Sequence, residues 1–315
     1  MSKHFVINGT TIIPGQEVTL RLPVASLPSG NRIYIKGHIY RSLNPGPVML
    51  ALGGVHGDEI NGIEIVRRAV EEEFFKNLQQ GSVIAIPLLN IYGFINYSRD
   101  VPDGKDVNRS FPGSLDGSLA ARVAFIVTKK ILPLADFIID FHTGGRNHYN
   151  YPQARFTKGD KASEELARLF GAPYILSNAP ISHSLRKVAH EALKPLVVFE
   201  GGENQRYDGF SIEYGLKGLK RVMAAKGMIA EELAPPIRKP TVMRRSLWMR
   251  APWSGMFRCH KPAGHRIVEG EPLGSINDPF GTEKIRIYAP RNGHILGHTN
   301  APVVNQGDAL FHIGY

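Results

Sequence analysis

Four short apolar runs constrain this 315-residue chain more than any other feature: "VMLAL" (48–52), "VIAIPLL" (Val83–Leu89), "FIID" (Phe137–Asp140) and "LVVFE" (Leu196–Glu200). Unbroken apolar stretches of this length suit strands covered on both faces, as in a mainly parallel sheet. Between and around them, Asn61–Asn77, Ser118–Leu134, Lys161–Phe170 and His183–Leu193 carry helical spacing. Strand–helix alternation of this kind predicts an α/β fold with a doubly wound sheet. Upstream, residues 1–50 read as strands, with "VTLRLPV" and "RIYIKGHIY" alternating about a turn at "LPSGN".

Helical periodicity ends after "YGLKGLKRVMAAKGMI", and the Pro-rich, basic "APPIRKPT" (Ala234–Thr241) reads as a linker. Residues 242–315 hold Gly, Pro and short alternating runs such as "IRIYAP", "GHILGH" and "DALFHI", so a small all-β domain is expected there. The division is then 1–235 and 242–315. A weak internal echo, "APWSGMFRC" against "APRNGHILG", resembles the paired hairpins of lipoyl/biotinyl-type barrels. No Met-Lys-Met tip is present, which makes this a non-carrier domain, and plain β-hairpins fit the pattern equally well.

The net charge of +10 raises nucleic-acid binding as a function. The Lys and Arg are scattered, without a basic block or interleaved aromatics, so an ordinary basic soluble protein, able to attract anionic substrates, is the better account and no nucleic acid is expected. One cysteine, Cys259, excludes an intramolecular disulfide and fits a reducing compartment. "MSKHFVINGTTIIPG" lacks an apolar targeting region, and no window holds 18 apolar residues. A cytoplasmic protein without a membrane span is expected. The oligomeric state is open, and a homo-oligomer is compatible with the sequence.

The chemistry-bearing residues cluster where the apolar runs end. "GGVHGDE" places His56 and Glu59 three apart, able to face one point on a helical turn. Read alone, the pair fits half a zinc site or a polar helix start with Glu59 as capping acid. "DFHTGG" offers His142 as a further ligand, with Asp140 on the same strand face to orient an imidazole, that of His142 or of His56. In the turn-rich "PDGKDVNRSFPG", Asn108 and Arg109 set an amide beside a guanidinium able to grip a carboxylate. Arg99 stands nine positions earlier, a candidate to stabilise an oxyanion. "VFEGGEN" ends the fourth run in Glu200, a candidate general base, with Glu203 competing for the role.

Together, "GGVHGDE", "DVNRSFPG", "DFHTGG" and "VFEGG" resemble the succinylglutamate desuccinylase/aspartoacylase family over roughly residues 45–315. The resemblance implies a zinc-carboxypeptidase type of α/β fold and cleavage of the amide bond of an N-acyl amino acid with one zinc per chain. It implies His56, Glu59 and His142 as ligands and Glu200 as base and then acid. Asn108 and Arg109 would hold the substrate carboxylate, and Arg99 would polarise the carbonyl. "NYPQARF" resembles a Pro-x-x-Arg stretch of other members and makes Arg155 a second anion contact. Two departures leave the acyl group open: Asp58 stands where aspartoacylase has Asn, and Glu-Gly-Gly replaces Glu-x-Gly-Pro. A zinc carboxypeptidase acting on short peptides is the alternative hydrolase. A non-catalytic, metal-containing binding protein is the alternative of another class.

Overall fold

The computed structural model describes residues 5–26, 29–236 and 239–315. Leu27 and Pro28 of the expected turn, and Ile237 and Arg238 of the expected linker, lie outside the described residues. The main strands of the first part are β1 (Glu17–Ser26), β2 (Arg32–Arg41), β3 (Val48–Gly53), β4 (Ser82–Leu88), β5 (Phe137–Gly144), β6 (His148–Thr157), β7 (Tyr174–Asn178) and β8 (Leu196–Glu203). The helices are α1 (Ile60–Glu71), α2 (Ile91–Ile95), α3 (Leu119–Ile126), α4 (Lys161–Phe170), α5 (Leu185–Glu191) and α6 (Gly209–Ala225). The four apolar runs form the parallel centre of a large mixed sheet, in the order β4-β3-β5-β8. The β1–β2 hairpin adds antiparallel beyond β4, and β6 adds antiparallel beyond β8.

Side chains alternate across this sheet, which divides the core in two. Leu50, Leu52, Ile84, Ile86 and Ile138 pack with α3 and α5 on one face. Met49, Ala51, Phe141 and Phe199 pack with α1, α4 and α6 on the other. Phe141, Phe170 and Phe199 meet pairwise with ring centroids 5.2–6.2 Å apart. Helices on both faces are the reason the central strands read as unbroken apolar runs.

The first helix is shorter than its periodicity predicts. It ends at Glu71, and Glu73 and Asn77 adopt positive φ of 60° and 57°. Three successive acids, Glu71–Glu73, oppose the negative end of the helix dipole. The apolar residues that extended the pattern, Phe74 and Phe75, lie in the turn, with Phe75 fully buried.

Among the described residues, 242–315 contain no helix. Their main strands are β9 (Thr241–Met243), β10 (Ser246–Arg250), β11 (Gly255–Cys259), β12 (Pro272–Asn277), β13 (Lys284–Tyr288), β14 (Gly293–Thr299) and β15 (Ala309–Gly314). β14 pairs antiparallel with β6, and β15 and β10 follow, so the large sheet runs on into this region. β9 joins it separately, parallel to β7. β11, β12 and β13 form a second sheet with Val303–Val304, and Phe257 meets Phe311 across the two sheets at 5.7 Å. The start of the expected linker is pinned, because Arg221 donates to the carbonyls of Pro235 and Pro236 at 3.1 Å each. No helix among the described residues is long and apolar enough to cross a membrane.

Two features yield tests. Between β3 and α1 the chain passes so close to α2 that a Cβ at Gly57 would lie 2.0 Å from the backbone of Gly93 and Phe94. Gly57→Ala should therefore destabilise the fold by at least about 2 kcal/mol; a wild-type urea midpoint would refute this close approach. In the C-terminal region, burial lowers the pKa of His298 to about 4. Burial, with Arg155 and His148 nearby, lowers that of His312 to about 3. Both rings are therefore neutral when folded and bind protons more readily when unfolded. Their contribution is fully present above the ordinary histidine value of about 6.5 and is lost as pH falls below it. The melting temperature should fall between pH 6.5 and 4, and His298→Asn should flatten that dependence; a variant with an unchanged slope would contradict the assignment.

Candidate active site

The turn after β3 builds the first half of the site. Gly54 takes a positive φ of 62°, and the chain reverses through Val55–Asp58 before α1 begins at Ile60. His56 and Glu59 therefore sit in the turn ahead of the helix, and not on it. Glu59 occupies the helix N-cap position, yet its side chain caps nothing. Its carboxylate instead lies 2.7 Å from His56 Nδ1 and 2.8 Å from His142 Nδ1. The helix-capping alternative thus fails on geometry.

β5 supplies the other half. Asp140 and His142 alternate onto one face, and Asp140 Oδ2 lies 2.9 Å from His142 Nε2. The open role of Asp140 is resolved in favour of His142. A residue that sequence reasoning missed serves His56: Asp106 Oδ1 lies 3.2 Å from His56 Nε2. Asp106 also accepts from the Asn108 N–H at 2.7 Å, capping the short 3-10 turn Val107–Arg109. Its signal was present as the acid two positions before the Asn-Arg pair, but a loop aspartate reads first as a turn former.

Both imidazoles thus have a carboxylate at each ring nitrogen. Burial alone would lower their pKa values, but the acids outweigh it: Glu59 and Asp106 raise that of His56, while Asp140 and Glu59 raise that of His142 well above its usual range. Burial would raise the pKa of Glu59, and the two imidazoles hold it well below the carboxylate range instead. His56, Glu59 and His142 offer ligand atoms that all lie within 4.8 Å of one another, and each residue is buried. Two nitrogens and a carboxylate oxygen, backed by further carboxylates, are a donor set that fits a divalent transition metal.

Around this cluster the remaining sequence-predicted residues line one open cavity of about 280 Å³, the scale of a small-molecule site. Arg99 reaches across it, with Nη2 2.9 Å from Asp106 Oδ2 and Nη1 3.3 Å from Glu59 Oε1. Glu200 pairs in register with His142 on the neighbouring strand. Its carboxylate is held by the Asn150 amide at 2.9 Å and Arg155 Nη1 at 3.1 Å. Arg155 therefore lies in the cavity, with its first partner being Glu200. Glu203 points elsewhere, accepting from Asn300 Nδ2 at 2.6 Å, and does not line the cavity.

Asn108 accepts from the Leu185 N–H at 2.9 Å and so ties its loop to the start of α5. Arg109 donates to the Asn108 carbonyl at 2.8 Å. A second missed residue, Arg186 on α5, also lines the cavity and donates to the carbonyls of Phe156 and Ala179. Burial, with Arg155 nearby, brings its pKa down to about 10. Among the described residues, neither Arg109 nor Arg186 forms an ion pair with a carboxylate, whereas Glu59, Asp140 and Glu200 each do with a cationic partner. Trp248, from the C-terminal region, completes one wall.

Comparison with known proteins places the fold and the family. The profile of the succinylglutamate desuccinylase/aspartoacylase catalytic domain matches residues 45–226. An N-alpha-acetyl-L-2,4-diaminobutyric acid deacetylase from Halomonas elongata is 27% identical over 278 residues, covering 84% of this chain and 81% of that protein. The product-bound ectoine utilization protein EutE from Ruegeria pomeroyi superposes with a TM-score of 0.84 at 25% identity, covering 95% of this chain and 94% of its own. A succinylglutamate desuccinylase from Silicibacter sp. TM1040 shares the fold, with a TM-score of 0.83 at 24% identity and coverage of 95% and 94%. With its catalytic profile matched over more than half of its length, the chain belongs to the succinylglutamate desuccinylase/aspartoacylase family.

Proposed function

We propose that this protein is a zinc-dependent hydrolase of the zinc-carboxypeptidase type that removes the acyl group from a small anionic N-acyl amino acid. The observation that carries the reading is the convergence of a buried His-Glu-His cluster, a held carboxylate and two unmatched guanidiniums in one cavity. The family and the named deacetylase support the reaction class. In this reading residues 1–235 supply the chemistry, residues 242–315 shape the mouth, and the enzyme works in the cytoplasm.

His56, Glu59 and His142 would hold one zinc, which supplies a Lewis acid and brings the pKa of a water toward about 7. The residues of the chain do the rest. Arg109 and Arg186 attract the substrate carboxylate because each is a cation without an acid of its own, and Asn108 fixes the loop that presents Arg109. Holding that end makes attack on the amide nearly intramolecular. Glu200 takes the proton of the attacking water and returns it to the departing amine. Asn150 and Arg155 keep its carboxylate in place meanwhile. Arg99, fixed by Asp106 and Glu59, places a positive charge where the oxyanion develops.

A panel of N-acetyl and N-succinyl amino acids, run against dipeptides with and without chelator, tests the reading. Chelator-sensitive release of the acyl group is expected, and dipeptide cleavage alone would make the protein a carboxypeptidase. Absence of turnover on every amide would leave a binding protein. Glu200→Gln should retain metal and lose about 10²–10⁴-fold in kcat; near-normal turnover would remove Glu200 from the role of base. His56→Ala should abolish zinc binding, and Asp106→Asn should weaken it about 10–100-fold. Elemental analysis near one zinc per chain in the His56 variant would sink the ligand set.

A further inference from the structure

One lining residue comes from outside the stretch matched by the catalytic-domain profile. Trp248, on β10, lines the cavity and leaves 45% of its surface open. A single exposed tryptophan would need no explanation, but this one is held rigidly. The His312 ring stacks on the indole with centroids 4.4 Å apart and planes within 6°. His148 meets it at a right angle, 5.7 Å away. His148 is itself clamped between the two parts of the chain: Nδ1 lies 3.1 Å from the Arg146 carbonyl and Nε2 3.1 Å from that of Ala309.

The sheet register ties this platform to the reacting groups. Trp248 is opposite His312, His312 opposite Gly297, and Gly297 opposite Asn150. A Cβ at Gly297 would lie 2.7 Å from Asn150 Oδ1, so the glycine leaves room for the amide that holds Glu200. The row therefore runs from the indole to the proposed base. His312 is only 4% exposed, and its Nδ1 has no hydrogen-bond partner. Burial, with Arg155 and His148 nearby, keeps that ring neutral.

The surroundings narrow what the indole can receive. Arg186 lines the same cavity without an ion pair and disfavours an ammonium group there, whereas the charge of Arg155 is matched by Glu200. A flat, uncharged group gains from stacking on indole without that penalty. We propose that Trp248 is the specificity-determining platform for the mouth end of the substrate, and that this chain prefers N-acyl amino acids carrying an aromatic ring at that end. The proposal deepens the hydrolase reading and rests on it for the identity of the reaction, but not for binding.

The chain has two tryptophans, so Trp253→Phe, at an exposed position outside the cavity, leaves Trp248 as the only indole fluorophore. Its emission should change saturably with N-acetylphenylalanine or N-benzoylalanine, which carry the ring at either end of the amide. N-acetylalanine and N-acetyllysine should need about tenfold higher concentrations. In turnover, Trp248→Ala should raise KM for the preferred ring-bearing substrate about fivefold to tenfold, a larger change than in kcat or in the KM for N-acetylalanine. Trp248→Phe should restore most of the difference. Emission indifferent to both ring-bearing compounds would overturn the proposal, as would a Trp248→Ala variant slowed equally on all substrates through kcat. Ring binding at Trp248 without hydrolysis of any amide would uphold the platform and defeat the hydrolase reading.

Discussion

The structure turns on one buried carboxylate. Glu59 is 2% exposed and charged, a state that costs several kcal/mol unless its charge is met on all sides. It is met by two imidazoles, by Arg99 and by the Thr143 N–H at 3.1 Å. Those partners bring their own requirements. Each imidazole needs an acid on its far nitrogen, which Asp106 and Asp140 supply, and Asp106 in turn fixes Arg99. The whole cluster is thus a charge-compensated unit of three acids, two histidines and an arginine. It holds its shape because removing any member would leave another buried and unpaired.

That unit can be assembled only where β3 and β5 end side by side. Their parallel pairing brings the turn after β3 up to the end of β5, and the next strand, β8, sets Glu200 opposite His142. The C-terminal region then contributes by continuing the same sheet. Its hydrogen bonds to β6 position Gly297 beneath Asn150, Asn300 draws Glu203 away from the cavity, and Trp248 forms a wall. Groups suited to bond cleavage therefore come from 45–226, whereas one wall of the cavity comes from beyond it.

Much of this was legible in the chain. Strands buried on both faces show as continuous apolar runs, and a strand end followed by Gly-Gly or Thr-Gly-Gly is a local pattern that marks a sheet edge. His56 and Glu59 alone fit a helix start equally well; His142 at the end of a second apolar run, together with the order of the four motifs, singles the three out. Less local properties were not legible. The end of α1 at Glu71 depended on where Phe75 found burial, and the choice between Glu200 and Glu203 depended on a bulged strand that aims them differently. Asp106, Arg186 and Trp248 carry no local signal beyond being a loop acid, a helix arginine and a strand aromatic.

The sequence by itself determined the layered α/β architecture, the β character of residues 242–315 and the residue types of the buried His-Glu-His cluster. Each of these follows from periodicity or from side-chain chemistry, which are properties of short segments. Only the tertiary structure decided which acid serves which imidazole, that Arg155 meets Glu200 first, that Arg109 and Arg186 face the cavity without an acid, and that Trp248 stands at its wall. Except for Asp140 with His142 on one strand, those are pairings between distant segments, such as His56 with Asp106, 50 residues apart. They are set by strand register and by the need to neutralise buried charge, and neither requirement is written in any one stretch of the chain.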